Sequence, residues 1–155
     1  MAQLFFEYGA MSSGKSIEIL KVAHNYESQG RQVLLMTPIT DTRAGIGVVA
    51  SRIGLSREAL AVKPADDLYV LIKSMAADDL AVVLVDEAQF LTPEQVDQLA
   101  YTVDNLHIPV MAFGLKQDAF NNLFAGSKRL IELADKLEEM KTICSFCGKK
   151  ATTQL

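Results

Sequence analysis

The sequence predicts an α/β fold in which a mostly parallel sheet is flanked by helices. Two observations carry this. Short apolar runs alternate with helical patterns along most of the chain, and such alternation gives parallel strands joined by covering helices. In addition, five of the six residues in Leu80–Val85 are branched aliphatics, as in a buried strand. With 155 residues, half of them apolar, the chain has room for one domain with a sizeable core.

Residues 3–8 (Gln-Leu-Phe-Phe-Glu-Tyr) read as a short buried strand. Gly9 to Gly14 is a small-residue loop. A helical pattern starts at Ser16, with Ile17, Leu20, Lys21, Ala23 and His24 on adjacent turns, and stops near Gln29-Gly30. Val33–Met36 is a second apolar run, ended by Pro38. The stretch 40–57, rich in Gly, Arg and Ser, is expected to be loop with one short strand. A helix is expected over 67–77 and a strand over 80–85. Thr92-Pro93-Glu94 supplies an N-cap, a first-turn proline and a first-turn acid for a helix running to about Asn105. Val110–Phe113 is a further strand, and 127–134 a further helix. The run 136–141 fits helix or strand equally. The expected organisation is a nucleotide-binding core over 1–135 and a separate small unit starting at 136.

Gly9-Ala10-Met11-Ser12-Ser13-Gly14-Lys15-Ser16 matches the Walker A pattern at each constrained position, between a strand and a helix. The loop must curl so that its backbone N–H groups point at phosphate, which glycines permit. The helix N-terminus adds partial positive charge. Lys15 is expected to reach the β- and γ-phosphates of ATP, and the Ser16 hydroxyl to ligate magnesium. The chain is therefore expected to have a P-loop NTPase core.

Such a site needs an acid at the end of a neighbouring strand. Asp86, directly after Leu80–Val85, fits that role as the second magnesium residue. Glu87 is next in sequence and so points elsewhere, as suits a general base acting on the group that attacks the γ-phosphate. These two motifs alone fit a kinase or an ATP-driven motor. The short chain and its net charge of −4 weigh against a motor on an anionic track, and against general nucleic-acid binding. No run of eighteen apolar residues is present for a membrane span. The N-terminus lacks a signal-peptide pattern, and two cysteines are too few for a disulfide framework, so the expected location is cytoplasmic.

Gly9–Ser16, Asp41-Thr42-Arg43, Ser51-Arg-Ile-Gly54, Asp86-Glu87-Ala88-Gln89-Phe90, Phe113-Gly114-Leu115, Phe124-Ala-Gly126-Ser127 and Cys144-Ser-Phe-Cys147-Gly148 occur in this order. Together they resemble the bacterial branch of the type II thymidine kinases over the whole chain. The resemblance implies transfer of the ATP γ-phosphate to the 5′-hydroxyl of thymidine, and of deoxyuridine, in nucleotide salvage for DNA synthesis. It makes Glu87 the catalytic base. It adds Arg43 and Gln89 to the nucleotide-binding residues Gly9–Ser16 and Asp86. Met11, Phe90, Phe120 and Phe124 match positions lining the thymine pocket, and Leu115 is a plausible further wall. A flat pyrimidine favours such stacking, although residues of these types are more often core. The resemblance also implies a homotetramer and inhibition by thymidine triphosphate.

Cys144 and Cys147 have the spacing of a zinc half-site, with free thiols as the alternative. His24 and His107 are not natural partners for the pair. In the family a second ligand pair lies further on than Leu155. Residues 136–155 are thus expected to begin a zinc-ribbon-like lid unit, incomplete here, that would bind a structural Zn²⁺.

Overall fold

The computed structural model describes residues 2–9, 15–39, 48–50, 56–76, 80–118, 120, 122–140, 142–143 and 150–151. Six strands form one sheet in which each neighbouring pair is parallel: β1 (Leu4–Gly9), β2 (Gln32–Pro38), β5 (Leu60–Val62), β6 (Leu80–Val85), β7 (Val110–Gly114) and β8 (Lys136–Met140). Their spatial order is β5-β2-β6-β7-β1-β8. Two small antiparallel pairs lie outside it, β3 (Val48–Ala50) with β4 (Ser56–Glu58), and β9 (Thr142–Ile143) with β10 (Lys150–Ala151).

Strand alternation sends side chains to opposite faces, and the core divides accordingly. Val82 and Leu84 of β6 pack with Phe113 against Ile19 and Ala23 of α1 (Lys15–Glu27). Val83 and Val85 join the larger cluster on the other face. That cluster includes Leu68 and Ile72 of α2 (Leu68–Met75), Val96, Leu99 and Val103 of α3 (Pro93–Leu106), and Leu130 of α4 (Ala125–Leu133). With helices on both faces the central strands need no polar side, which is why β6 is apolar throughout.

The helix starts follow local chemistry. Asp67 caps α2 by accepting from the Val70 N–H. Thr92 opens α3 in a reciprocal capping box with Gln95. Gln95 is buried, and its amide also donates to the Lys63 carbonyl, tying this helix start to the turn after β5. The C-terminal cap of α3 is His107, in the left-handed region at φ 56°.

Three expectations from sequence need correction or resolution. The stretch 40–57 was expected to hold one short strand, but β3 and β4 both fall within it or at its edge, and β5 follows at Leu60–Val62. The last helix starts at Ala125, two residues earlier than expected, because Phe124 already has the extended backbone of its N-cap. The ambiguous run 136–141 is strand over Lys136–Met140, where pairing to β1 overrides its polar composition. The expected boundary at 135–136 falls at the start of this sixth strand of the sheet.

The β1–β8 pairing sets Glu7 beside Glu138. Glu7 is only 9 % exposed, and its Oε2 is buried without a hydrogen-bond partner. Burial first, then the hydrogen bond and charge of Glu138 and the charge of Glu18 on α1, push the Glu7 carboxyl up to about 7. Between its ordinary value of 4.5 and about 7, the folded chain holds a proton that the unfolded chain releases. This contribution to stability is thus fully present below the ordinary value and is lost as pH rises through about 7. The total loss is on the order of 3 kcal/mol. Glu7→Gln, a neutral isostere, should therefore melt several degrees above the parent at pH 8 and close to it at pH 4. Calorimetry at both values checks this, and parallel pH profiles for the two proteins would count against a proton held at Glu7.

Candidate active site

The carboxyl ends of parallel strands are where α/β sheets place ligands. Here β1, β7 and β6 end side by side at Gly9, Gly114 and Val85. From the first of these the chain passes to α1, whose first residues are Lys15 and Ser16. Ala10, Met11, Ser12, Ser13 and Gly14 lie outside the described residues, as do Arg43, Cys144 and Cys147.

At the end of β6, Asp86 is buried, and its N–H donates to the Met36 carbonyl of β2. Its Oδ1 accepts from the N–H of Glu87 at 2.9 Å. Glu87 then turns the chain through the left-handed region, at φ 53° and ψ 39°. A non-glycine residue there costs on the order of 1–3 kcal/mol and persists only where its surroundings impose it. The chain therefore changes direction directly after Asp86.

The surroundings that impose it are visible. A 3-10 turn, Ala88–Phe90, follows Glu87. It is pressed between two glycines. A Cβ on Gly126 would lie 2.6 Å from the Leu91 carbonyl oxygen and 2.8 Å from that of Ala88. A Cβ on Gly114 would meet the Gln89 side-chain oxygen and lie 3.0 Å from the Gln89 backbone nitrogen. The segments Phe113-Gly114-Leu115 and Phe124-Ala-Gly126-Ser127 therefore matter as backing for this turn. Gln89 is buried, with its Nε2 donating to Glu87 Oε2 at 2.5 Å and its Oε1 accepting from the Leu115 N–H at 3.1 Å. Ser127 Oγ donates to the Leu115 carbonyl.

Of the expected thymine-pocket residues, the fold brings Phe90 and Phe124 together, edge to face, with ring centroids 5.8 Å apart. Phe90 is 40 % exposed, so this ring pair lies open rather than in the core. Leu115 is half-buried in the segment between β7 and α4. Phe120 is 84 % exposed at the tip of that segment. Asp118, in the Lys116-Gln117-Asp118 run, is not among the expected site residues, yet it builds this tip. Its Oδ1 accepts from the N–H groups of Phe120 and Asn122, at 2.8 and 3.0 Å. An aspartate two residues before the turn it closes is the available signal. His24 and His107 sit away from these groups, on α1 and at the end of α3.

Among the described residues no group of three or more His, Cys, Asp and Glu could hold a metal ion. A single buried carboxylate is still the donor type that magnesium uses, because this hard ion binds through one or two carboxylates together with substrate phosphates. Asp86 fits that requirement. No helix among the described residues is long and apolar enough to cross a membrane.

Comparisons with known proteins place the chain in a family. The family model described as thymidine kinase matches residues 2–155. The thymidine kinase of Lactobacillus acidophilus is 58 % identical over 162 aligned positions, covering 100 % of this chain and 81 % of that protein. The thymidine kinase of Lactococcus lactis is 60 % identical over 152, covering 98 % of this chain and 80 % of that protein. Among solved structures, Pif1 helicase from Candida albicans superposes with a TM-score of 0.50 at 17 % identity, over 92 % of this chain and 37 % of that one. At that identity the likeness speaks for the α/β fold alone.

Proposed function

The chain belongs to the thymidine kinase family, and from that premise we propose that Glu87 is the catalytic base of its ATP-dependent phosphorylation of thymidine. The observation that supports this most is the placing of Glu87. Its carboxylate is held by Gln89 at the carboxyl end of β6, in the same row of strand ends as the Walker A strand.

In this reading Glu87 takes the proton of the thymidine 5′-hydroxyl. The 5′-oxygen forms a bond to the γ-phosphorus as the bond from that phosphorus to the bridging oxygen breaks, and ADP leaves with the electron pair. Lys15, the N–H groups of Gly9–Ser16 and Arg43 spread the charge on the transferred group. Asp86 and Ser16 would hold magnesium, which when bound neutralises charge on the β- and γ-phosphates. The open pair Phe90 and Phe124, with Met11, Leu115 and Phe120, would face the pyrimidine. Cys144 and Cys147 as zinc ligands, a homotetramer, a cytoplasmic location and inhibition by thymidine triphosphate belong to the same reading by resemblance.

The direct test is ATP consumption with and without thymidine, alongside chromatographic assay of thymidine monophosphate. Monophosphate should form in step with ATP loss. ATP hydrolysis that ignores thymidine and responds to DNA or RNA would overturn the kinase reading.

A further inference from the structure

We infer that Gln89 is a positioning residue whose buried carboxamide fixes the Glu87 carboxylate and yokes it to the backbone between β7 and α4. The inference rests on the reading of Glu87 as the base and adds a device that holds the base in place.

The first support is the geometry of the amide. Gln89 is 3 % exposed, and its two polar ends each have a protein partner. Nε2 lies 2.5 Å from Glu87 Oε2, and Oε1 takes the Leu115 N–H at 3.1 Å. These partners fix which end is which: a backbone N–H must meet the oxygen, and a carboxylate must meet the NH₂. The bond to Glu87 is charge-assisted, roughly twice as strong as a neutral one.

The second support is the lack of room for any other arrangement. The Gln89 side chain fills the space where Gly114 has no Cβ, while Gly126 closes on the carbonyls of Ala88 and Leu91. The peptide at Leu115 is held at both ends, its N–H by Gln89 and its carbonyl by Ser127. A base must sit within about 0.5 Å of its productive position to be effective. Glu87 has a left-handed backbone that its own residue type does not favour. A rigid amide anchored to a second segment supplies the needed constraint. That segment carries Leu115 and Phe124, so the base and the proposed nucleoside side of the site share one rigid link.

The test is steady-state kinetics of the full chain with ATP and thymidine, for Gln89→Leu, Gln89→Glu, Glu87→Ala and the double variant Gln89→Leu/Glu87→Ala. Gln89→Leu should lower kcat about 10- to 100-fold, with both KM values within about 3-fold of the parent. On the Glu87→Ala background the same change should cost nothing further, because the group it positions is gone. Gln89→Glu keeps the shape and the acceptor for Leu115 but sets a second carboxylate against Glu87. Its kcat should be low at high pH and recover relative to the parent as pH falls, when the introduced carboxyl takes up a proton and becomes a donor again. A merely structural role would not produce that recovery, and this variant carries the test if Gln89→Leu fails to fold. Additive losses in the double variant, or a raised KM for ATP at unchanged kcat, would overturn the inference and make Gln89 a direct nucleotide contact. Near-parent kcat in Glu87→Ala would instead sink the base assignment itself, and the positioning role with it.

Discussion

Glu87→Gln should bind ATP as the parent does and turn over about 10²–10⁴ times more slowly. The substitution keeps shape and removes basicity. The introduced amide can present its oxygen to Gln89 Nε2, which now donates to Glu87 Oε2, so the turn at Ala88–Phe90 has no reason to move. What is lost is the capacity to take a proton, and the expected fall corresponds to roughly 3–5 kcal/mol of transition-state stabilisation. Calorimetric titration of ATP together with initial rates separates the two quantities. Equal loss of ATP binding would assign Glu87 to the metal and phosphate site instead of to proton transfer.

The second large effect is at Lys15. Lys15→Ala should lower turnover by about 10²–10⁴ while the fold stays intact. Lys15 is the first residue of α1, and alanine is the better helix former, so the loss should not come from unfolding. A cation at this position acts on charge that grows on the phosphoryl group in the transition state. Turnover should therefore fall much further than the melting temperature. A near-normal rate with normal circular dichroism would remove the phosphate-binding assignment of Gly9–Ser16.

The parts of this site that were legible from sequence are those whose residue types are chosen by local physics. The strand and helix that flank the glycine- and serine-rich loop could be read from their local patterns, and both are present as β1 and α1. Leu80–Val85 could be read as a buried strand because both its faces are covered. The start of α3 could be read from Thr92 and Pro93, although the partner that completes its capping box is Gln95. Other parts depend on chain segments far away in sequence. The family resemblance makes Gln89 a nucleotide-binding residue. Its buried pairing to Leu115 depends on Gly114 having no side chain, which no local pattern announces. Strand β5 has three residues and needs only β2 beside it. Strand β8 has the sequence Lys-Leu-Glu-Glu-Met, and only its pairing with β1 makes it a strand. Strand order, too, cannot be read from alternation, since β1 lies beside β7 and β8 rather than beside β2.

That position of β1 has a consequence for how the chain is made. The strand that leads into the Gly9–Ser16 segment is synthesised well before its neighbours: Leu4 pairs with Val110, and Phe5 with Lys136. The Leu4 N–H also waits for the Asp135 carboxylate, 131 residues further on. At ribosomal speed that is a wait on the order of ten seconds, with an apolar strand and its amide groups unpaired. Closing such long loops before any pairing energy returns is slow. Nascent chains should thus carry Leu4–Gly9 as an exposed, association-prone segment, and the proposed nucleotide site should be among the last parts of the molecule to mature.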